Sequence, residues 1–166
     1  MSQTSQVSAS IAFTRKASAD GSDGAKVEQT LQLLESLTSG TGSGQCDLGF
    51  VDSARALASA ASEDFDFAGA LTSALGETIT AVEIVALMIK AAAANTTDLT
   101  IGGATAEWRG PFAAAGDKLT LRPGEAFLIY SNTGWAVAAG TADDLKITNG
   151  SGAGATFDIA FLARSA

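Results

Sequence analysis

The 166-residue sequence predicts a mainly β protein, an antiparallel β-sandwich that is jelly-roll-like, with an extended or partly helical N-terminal arm. Three observations lead to this prediction. From residue 45 onward, short runs recur that are apolar or alternate between apolar and polar residues. Turn-forming residues separate these runs at spacings of roughly ten residues, as in known sandwiches. No helical period lies between successive runs, which argues against a doubly wound α/β fold.

The first part of the chain carries weaker signals than the rest. Residues 7–15 alternate loosely and could form a strand, and residues 19–24 (ADGSDG) are a turn cluster. Residues 26–37 (KVEQTLQLLESL) fit a helix stripe and a strand alternation alike, although local propensity favours a helix. Both interpretations of residues 26–37 therefore remain open.

A Gly/Ser-rich stretch closes this first part. Residues 39–44 read SGTGSG, a composition typical of a flexible connector or a long loop. We therefore predict two regions: an N-terminal arm with its connector over residues 1–44, and a β-sandwich domain over residues 45–166.

Two early runs of the predicted domain carry strong strand signals. Residues 64–67 (DFDF) place both phenylalanines on one face. Residues 78–90 (TITAVEIVALMIK) are apolar on both faces, which predicts a central strand covered on two sides or one that leaves the core for a subunit interface. A helix over residues 81–94 is the alternative, and crowding among Ile and Val disfavours it. Strict alternation puts Val82, Ile84, Ala86 and Met88 on one face and Val85, Leu87 and Ile89 on the other.

The remaining runs complete the predicted sandwich. Residues 122–125 (RPGE) predict a type II turn, because Pro123 fixes φ and Gly124 accepts positive φ. Residues 131–134 (SNTG) predict a second turn between two strands. The predicted strands are DLTIGG (98–103), KLTL (118–121), AFLIY (126–130), WAVAA (135–139), LKIT (145–148) and ATFDIAFLA (155–163).

The stretch GWAVAAGTADDLKITN (134–149) contains an adjacent pair of carboxylates, Asp143 and Asp144. A Ca²⁺ cage would need further oxygen ligands in the same loop, and the stretch supplies few. We predict two adjacent strands, Trp135–Ala139 and Leu145–Thr148, joined by a tight link, with the aspartates capping strand entry.

Composition excludes several classes of function. The net charge is −8 and the basic residues are scattered, so we expect no nucleic-acid binding. The chain has no histidine and a single cysteine, Cys46, which excludes Cys–His pairs, Ser–His–Asp triads and His-based zinc sites. The longest apolar stretch, residues 84–94, is too short to span a bilayer, and the N-terminus does not resemble a secretory signal. We expect no membrane insertion.

The sequence also predicts no catalytic, cofactor-binding or metal-ligating residues. The Gly-rich runs match neither a P-loop nor a dinucleotide-binding fingerprint and are interpreted as turns. The dispersed carboxylates, Asp64, Asp66, Asp143 and Asp158, are expected on solvent faces rather than as an acid pair for glycoside hydrolysis. We therefore expect the protein not to be an enzyme.

The candidate interaction residues are aromatic, with one arginine. They are Trp108, Arg109, Phe112, Tyr130 and Trp135. For Trp108 with Arg109, the sequence favours core packing and an interface hot spot about equally, since both residue types are enriched at hot spots. Trp135 favours packing in the core or at its rim. If exposed, these rings could stack on a sugar or a partner chain.

Six segments, in this order, follow a pattern known from other proteins: Asp66 to Gly76, Ile79 to Lys90, Leu99 to Ala104, Leu121 to Gly124, Gly134 to Asn149 and Phe157 to Ile159. Through these segments, residues 45–163 resemble a family of small bacteriophage virion proteins that also occur in gene transfer agents. The segments keep the family's order and spacing, whereas residues 1–38 match weakly. Glu125 and Trp135 depart from the family pattern, which often has Gly at the first position and has Tyr at the second, without altering the β interpretation.

The resemblance implies a structural component of a particle, such as a head spike, its base or a capsid decoration protein. A neck or tail protein and a carbohydrate-binding attachment module are the alternatives. The implied partners are other copies of the chain, capsid, spike-fibre or neck and tail proteins, and a cell-surface glycan. The implied location is the particle, after synthesis in the bacterial cytoplasm. The N-terminal 44 residues could be an arm that reaches a neighbouring subunit or the shell and orders on binding.

Overall fold

A computed structural model describes residues 3–16 and 26–166; the turn predicted for residues 19–24 lies outside them. These residues form eleven strands and no helix. The strands are β1 (Thr4–Lys16), β2 (Lys26–Ser39), β3 (Gln45–Cys46), β4 (Leu48–Leu57), β5 (Ser62–Asp66), β6 (Glu83–Ala91), β7 (Leu99–Ile101), β8 (Leu119–Leu121), β9 (Ala126–Ala136), β10 (Asp144–Asn149) and β11 (Ala155–Arg164).

Eight strands build a jelly roll, which confirms the predicted fold class. One sheet has the order β4-β11-β6-β9 and the other β5-β10-β7-β8, and every pairing within them is antiparallel. The first strand pairs with the last, the second with the next to last, and so on inward to the β7–β8 hairpin. The chain from β4 to β11 is therefore one long antiparallel ribbon rolled into two sheets.

Phenylalanines fill the space between the two sheets. Phe65 and Phe67 are both fully buried, as the alternation of DFDF predicts. The ring of Phe67 on one sheet meets that of Phe161 on the other, with centroids 4.9 Å apart in an edge-to-face arrangement. Phe157 and Phe50 extend the same cluster. These rings hold the two layers together through burial of apolar surface.

The N-terminal segment forms a hairpin of two long strands. β1 and β2 pair over thirteen residues each, from Thr4↔Thr38 to Lys16↔Lys26. Residues 26–37 are therefore strand, although their local propensity favours a helix. Pairing with β1 decides the outcome, because it places the apolar residues of both strands on one face. β3 then continues this small sheet by pairing in parallel with the end of β2.

Residues 78–90 yield the predicted central strand, β6, which lies between β11 and β9. The strict alternation is wrong at one place, because Val85 is a β-bulge that pairs with neither neighbour. The bulge reverses the faces. Ile84 consequently joins Leu87 and Ile89 in the inter-sheet core, and Val85 joins Ala86 on the outer face.

Residues 131–134 are not the predicted turn. They loop out opposite Val85 within the continuous strand β9, so that Tyr130 and Trp135 pair with Ala86 and Ile84. Gly134 closes this loop with φ of +79°, and its N–H donates to Ser131 Oγ at 3.0 Å. The expected strand Trp135–Ala139 is accordingly the end of β9 followed by a link.

The link from β9 to β10 crosses between the two sheets, so the two strands predicted to be adjacent lie in different layers. A tight turn does form, with Ala138 and Ala142 bridged by backbone hydrogen bonds. The type II turn at residues 122–125 is confirmed: Glu125 N–H donates to Arg122 O at 3.0 Å, and Gly124 has φ of +82°.

Candidate interaction surface

One face of the β1–β2 hairpin carries most of its apolar residues. Paired residues of antiparallel strands share a face, so the odd positions from Ser5 to Arg15 align with the odd positions from Leu37 to Val27. Polar side chains interrupt this face at Ser5, Glu35 and Gln29 and end it at Arg15, and the opposite face is polar except for Ala12 and Leu34. The apolar face comprises Val7, Ala9, Ile11 and Phe13 of β1 and Val27, Leu31, Leu33 and Leu37 of β2; we call it the hairpin face.

The base of the hairpin face packs on the jelly roll. Val7 and Leu37 are buried with Cys46 against Val85 and Ala86 of the central strand β6. Partly buried side chains surround this contact, namely Leu33, Leu128, Tyr130 and Leu162. The sheet β4-β11-β6-β9 is thus covered on both sides at this point, as the apolar character of β6 predicts.

Cys46 lies at the centre of this contact and is fully buried. Burial raises the pKa of its thiol, which keeps it in the unreactive protonated form. Its Sγ accepts a hydrogen bond from Gln3 Nε2 at 3.6 Å. Cys46 therefore acts as a small apolar side chain that anchors the hairpin base.

The outer half of the hairpin is exposed to solvent on both faces. Every described residue from Ser8 to Arg15 and from Lys26 to Gln32 is exposed. Ile11 and Leu31 are paired on the hairpin face, yet 75% and 76% of their surfaces are exposed. Phe13 and Val27 continue this exposed apolar strip. Contiguous apolar surface of this kind marks an interaction site.

A crevice runs between β1 and the outer face of the sheet β4-β11-β6-β9. Its volume is about 560 Å³. Residues Gln3 to Ser8 form one wall, and the sheet contributes Val51, Met88, Leu128 and Ala160 to the other. Val51 is 72% exposed and Met88 38% exposed, so the apolar character of the sheet continues beyond the area that the hairpin covers.

The structure divides the five residues predicted for interaction. Trp108 is fully buried, and its ring meets those of Phe67 and Trp135 edge to face. Trp135 and Phe112 are partly buried against the same core. Arg109 is exposed. Tyr130 lies apart from them in the cluster at the hairpin base, and its hydroxyl donates to Asn132 Oδ1 at 3.4 Å.

For Trp108 the structure therefore shows core packing, and for Trp135 the favoured packing at the rim. The rings do not form one exposed platform. The sequence reasoning missed the hairpin residues Ile11, Phe13, Val27 and Leu31. The signal for them was present: two runs with matching alternation flank the turn cluster at residues 19–24.

The acidic pair serves the link between β9 and β10. Asp143 is buried, and its carboxylate accepts a hydrogen bond from Gly140 N–H at 2.5 Å. Asp144 opens β10 directly opposite Asp66 of β5. Asp143 thus stabilises the turn through its backbone, in the manner the capping interpretation predicts. Among residues 3–16 and 26–166, no three acidic or cysteine side chains converge as metal ligands would.

Replacing Asp144 by asparagine is expected to stabilise the fold near neutral pH. Burial, then the nearby carboxylates of Asp143, Asp64 and Asp66, raise the pKa of Asp144. The folded state therefore binds this proton more tightly than the unfolded state, so the charged group destabilises the wild type at pH above its folded pKa. Lowering the pH through that pKa removes the penalty.

Urea unfolding of both proteins tests this expectation. The advantage of the Asp144→Asn variant should be present near pH 7 and shrink as the pH falls through the raised pKa of the folded wild type, where the carboxyl becomes protonated. An advantage that is absent near pH 7, or that grows on acidification, would contradict it.

Comparison with known proteins adds no relative: no protein-family model, no curated protein and no solved structure matches the chain. No helix in the described ranges has the length and apolarity that crossing a bilayer requires.

Proposed function

We propose that the protein is a structural component of a bacteriophage or phage-like (gene transfer agent) particle. It acts there as a capsid-associated head spike, spike-base or decoration protein, and it works as a homo-oligomer. The observation that carries the proposal is the apolar hairpin face that projects from a jelly-roll body. Exposed apolar surface of this kind marks a protein interaction site, because burial against a partner is favourable.

Two further observations support a structural role. Jelly rolls recur in viral capsid proteins, although they also occur in lectins and cupins, so the fold alone does not choose among these. The resemblance of residues 45–163 to phage virion proteins favours the first. Two carboxylates also have a structural role, because they accept hydrogen bonds from backbone N–H groups. Glu107 accepts from Gly103 and Gly116, and Asp143 accepts from Gly140.

The aromatic residues that were predicted to bind a sugar, Trp108, Tyr130 and Trp135, argue against the carbohydrate-binding alternative. Sugar stacking needs an exposed ring face, and Trp108 is fully buried while Trp135 packs against it. Tyr130 is partly buried against the cluster at the base of the hairpin. A neck or tail position shares the structural role and differs only in location.

Mass spectrometry of purified particles tests the proposal. We expect the chain to co-purify with the capsid proteins through a density gradient, while abundant cytoplasmic proteins of the producing cell are depleted. A chain that is expressed in producing cells but absent from their particles would refute the proposal.

A further inference from the structure

We propose that the exposed half of the hairpin face docks on the outer face of the sheet β4-β11-β6-β9 in a second copy of the chain. This inference rests on the proposed homo-oligomer and names the two surfaces that would form it. The occupant follows from a contact that the chain already makes with itself.

The contact within one chain shows that the two surfaces are complementary. The base of the hairpin face, around Val7 and Leu37, lies on a row of the outer sheet face that includes Ala86 and Leu162. Its outer half, around Ile11 and Leu31, continues the same alternation, and no described strand of the chain covers it. One continuous surface is therefore half covered and half open.

The sheet offers a matching open row. Strand register aligns Val51 with Ala160, Ala160 with Met88, and Met88 with Leu128, which forms an apolar row across all four strands. It lies directly beside the row that the chain's own hairpin covers, Gly49, Leu162, Ala86 and Tyr130. The crevice of about 560 Å³ opens onto this row. Leu128 is partly buried beside the hairpin base, whereas Val51 and Met88 are exposed. We call Val51, Met88, Leu128 and Ala160 the open row.

The strand edges also favour a second copy as the occupant. Among the described residues, the outer half of the hairpin leaves both of its outer edges without a pairing strand. Isolated proteins usually protect such edges, because they are a template for pairing with another chain.

The contact joins two different surfaces, the hairpin of one copy and the sheet of another. Reciprocal docking gives a two-fold dimer, and head-to-tail repetition closes a ring when the rotation between copies allows it. A ring of jelly rolls linked by their hairpins is an arrangement suited to a spike base or a decoration protein.

Paired substitutions on the two faces of the hairpin test the inference. Ile11→Asp with Leu31→Asp places two charges on the hairpin face, and Ala12→Asp with Thr30→Asp places two charges on neighbouring paired positions of the polar face. All four residues are exposed, so both variants should fold, which circular dichroism checks. We expect the wild type and the polar-face variant to sediment as oligomers, and the hairpin-face variant to associate at least about 100-fold more weakly.

A variant of the open row completes the test. Val51→Asp with Met88→Asp should also be monomeric, yet its hairpin is intact. Mixed with the hairpin-face variant, whose open row is intact, it should form a one-to-one complex. A monomeric wild type at about 100 µM would overturn the inference. So would equal association of the two hairpin variants, or a mixture that stays monomeric.

These outcomes are separate from those of the particle experiment. A chain that is present in particles but monomeric in solution would leave the proposed role intact and remove this contact. An oligomer that depends on the hairpin face but never enters particles would support this contact and refute the proposed role.

Discussion

Replacing Trp108 by alanine is expected to lower the free energy of unfolding by about 3–5 kcal/mol, because it removes a large, fully buried ring from a packed core. The ring contacts Phe67 and Trp135, with centroids 5.2 and 6.3 Å away. Gly110 also packs closely against the ring, since a Cβ at this position would lie 2.4 Å from the indole. Relaxation cannot fill a cavity of this size.

The conservative variant Trp108→Phe separates packing from polarity. Trp108 Nε1 is buried and has no hydrogen-bond partner within the described residues, so phenylalanine removes an unpaired donor while it keeps most of the apolar contact. We expect a clearly smaller loss than for alanine. Urea unfolding followed by circular dichroism measures both. Equal losses, or a wild-type midpoint for the alanine variant, would contradict the assignment of Trp108 to the core.

Replacing Arg164 by methionine is the second large effect, with an expected loss of about 3 kcal/mol. Only 2% of Arg164 is exposed, and its guanidinium connects three parts of the chain. It donates to Glu83 Oε2 at 2.6 Å, to Gln45 O at 3.0 Å and to Asn132 O at 2.6 Å. Methionine preserves the volume but leaves these acceptors unpaired, which carries the cost.

A matched control is Glu83→Gln, which keeps an acceptor for Arg164 and removes only the charge. Because Glu83 is partly exposed, we expect this variant to lose much less stability than the methionine variant. The methionine variant should also loosen the connection between residue 45 and the loop at residues 131–134. Hydrogen exchange would detect this as faster exchange at both places. Equal stability of the two variants would refute the role assigned to the guanidinium.

Much of the jelly roll could be predicted because its signals are local. The alternation of DFDF sets which side of β5 is buried, and the RPGE turn follows from the backbone preferences of proline and glycine alone. Neither depends on knowing what the segment packs against.

The errors arose where a distant part of the chain decides the local structure. Val85 is a bulge only because β9 and β11 pair around it, and residues 131–134 loop out for the same reason. Residues 26–37 become strand through pairing with β1, against their own propensity. Alternation within one segment carries no information about such pairing.

The interaction surface was predicted less well than the fold. Aromatic side chains were predicted to be the interaction residues, yet Trp108 is fully buried in the core. Most exposed large apolar residues are aliphatic, and those of the hairpin face, such as Ile11 and Leu31, lie in the N-terminal arm. Their exposure follows from the length of the hairpin relative to the sheet that supports it, which is a property of the folded chain.

A cryo-electron microscopy map of the native particle tests the central claim most directly, because it shows location and contacts together. The account predicts density for several adjacent copies of the jelly roll on the particle, with the hairpin of each copy covering Val51 and Met88 of its neighbour. A particle that lacks the chain, or that carries isolated copies with bare hairpins, would contradict it.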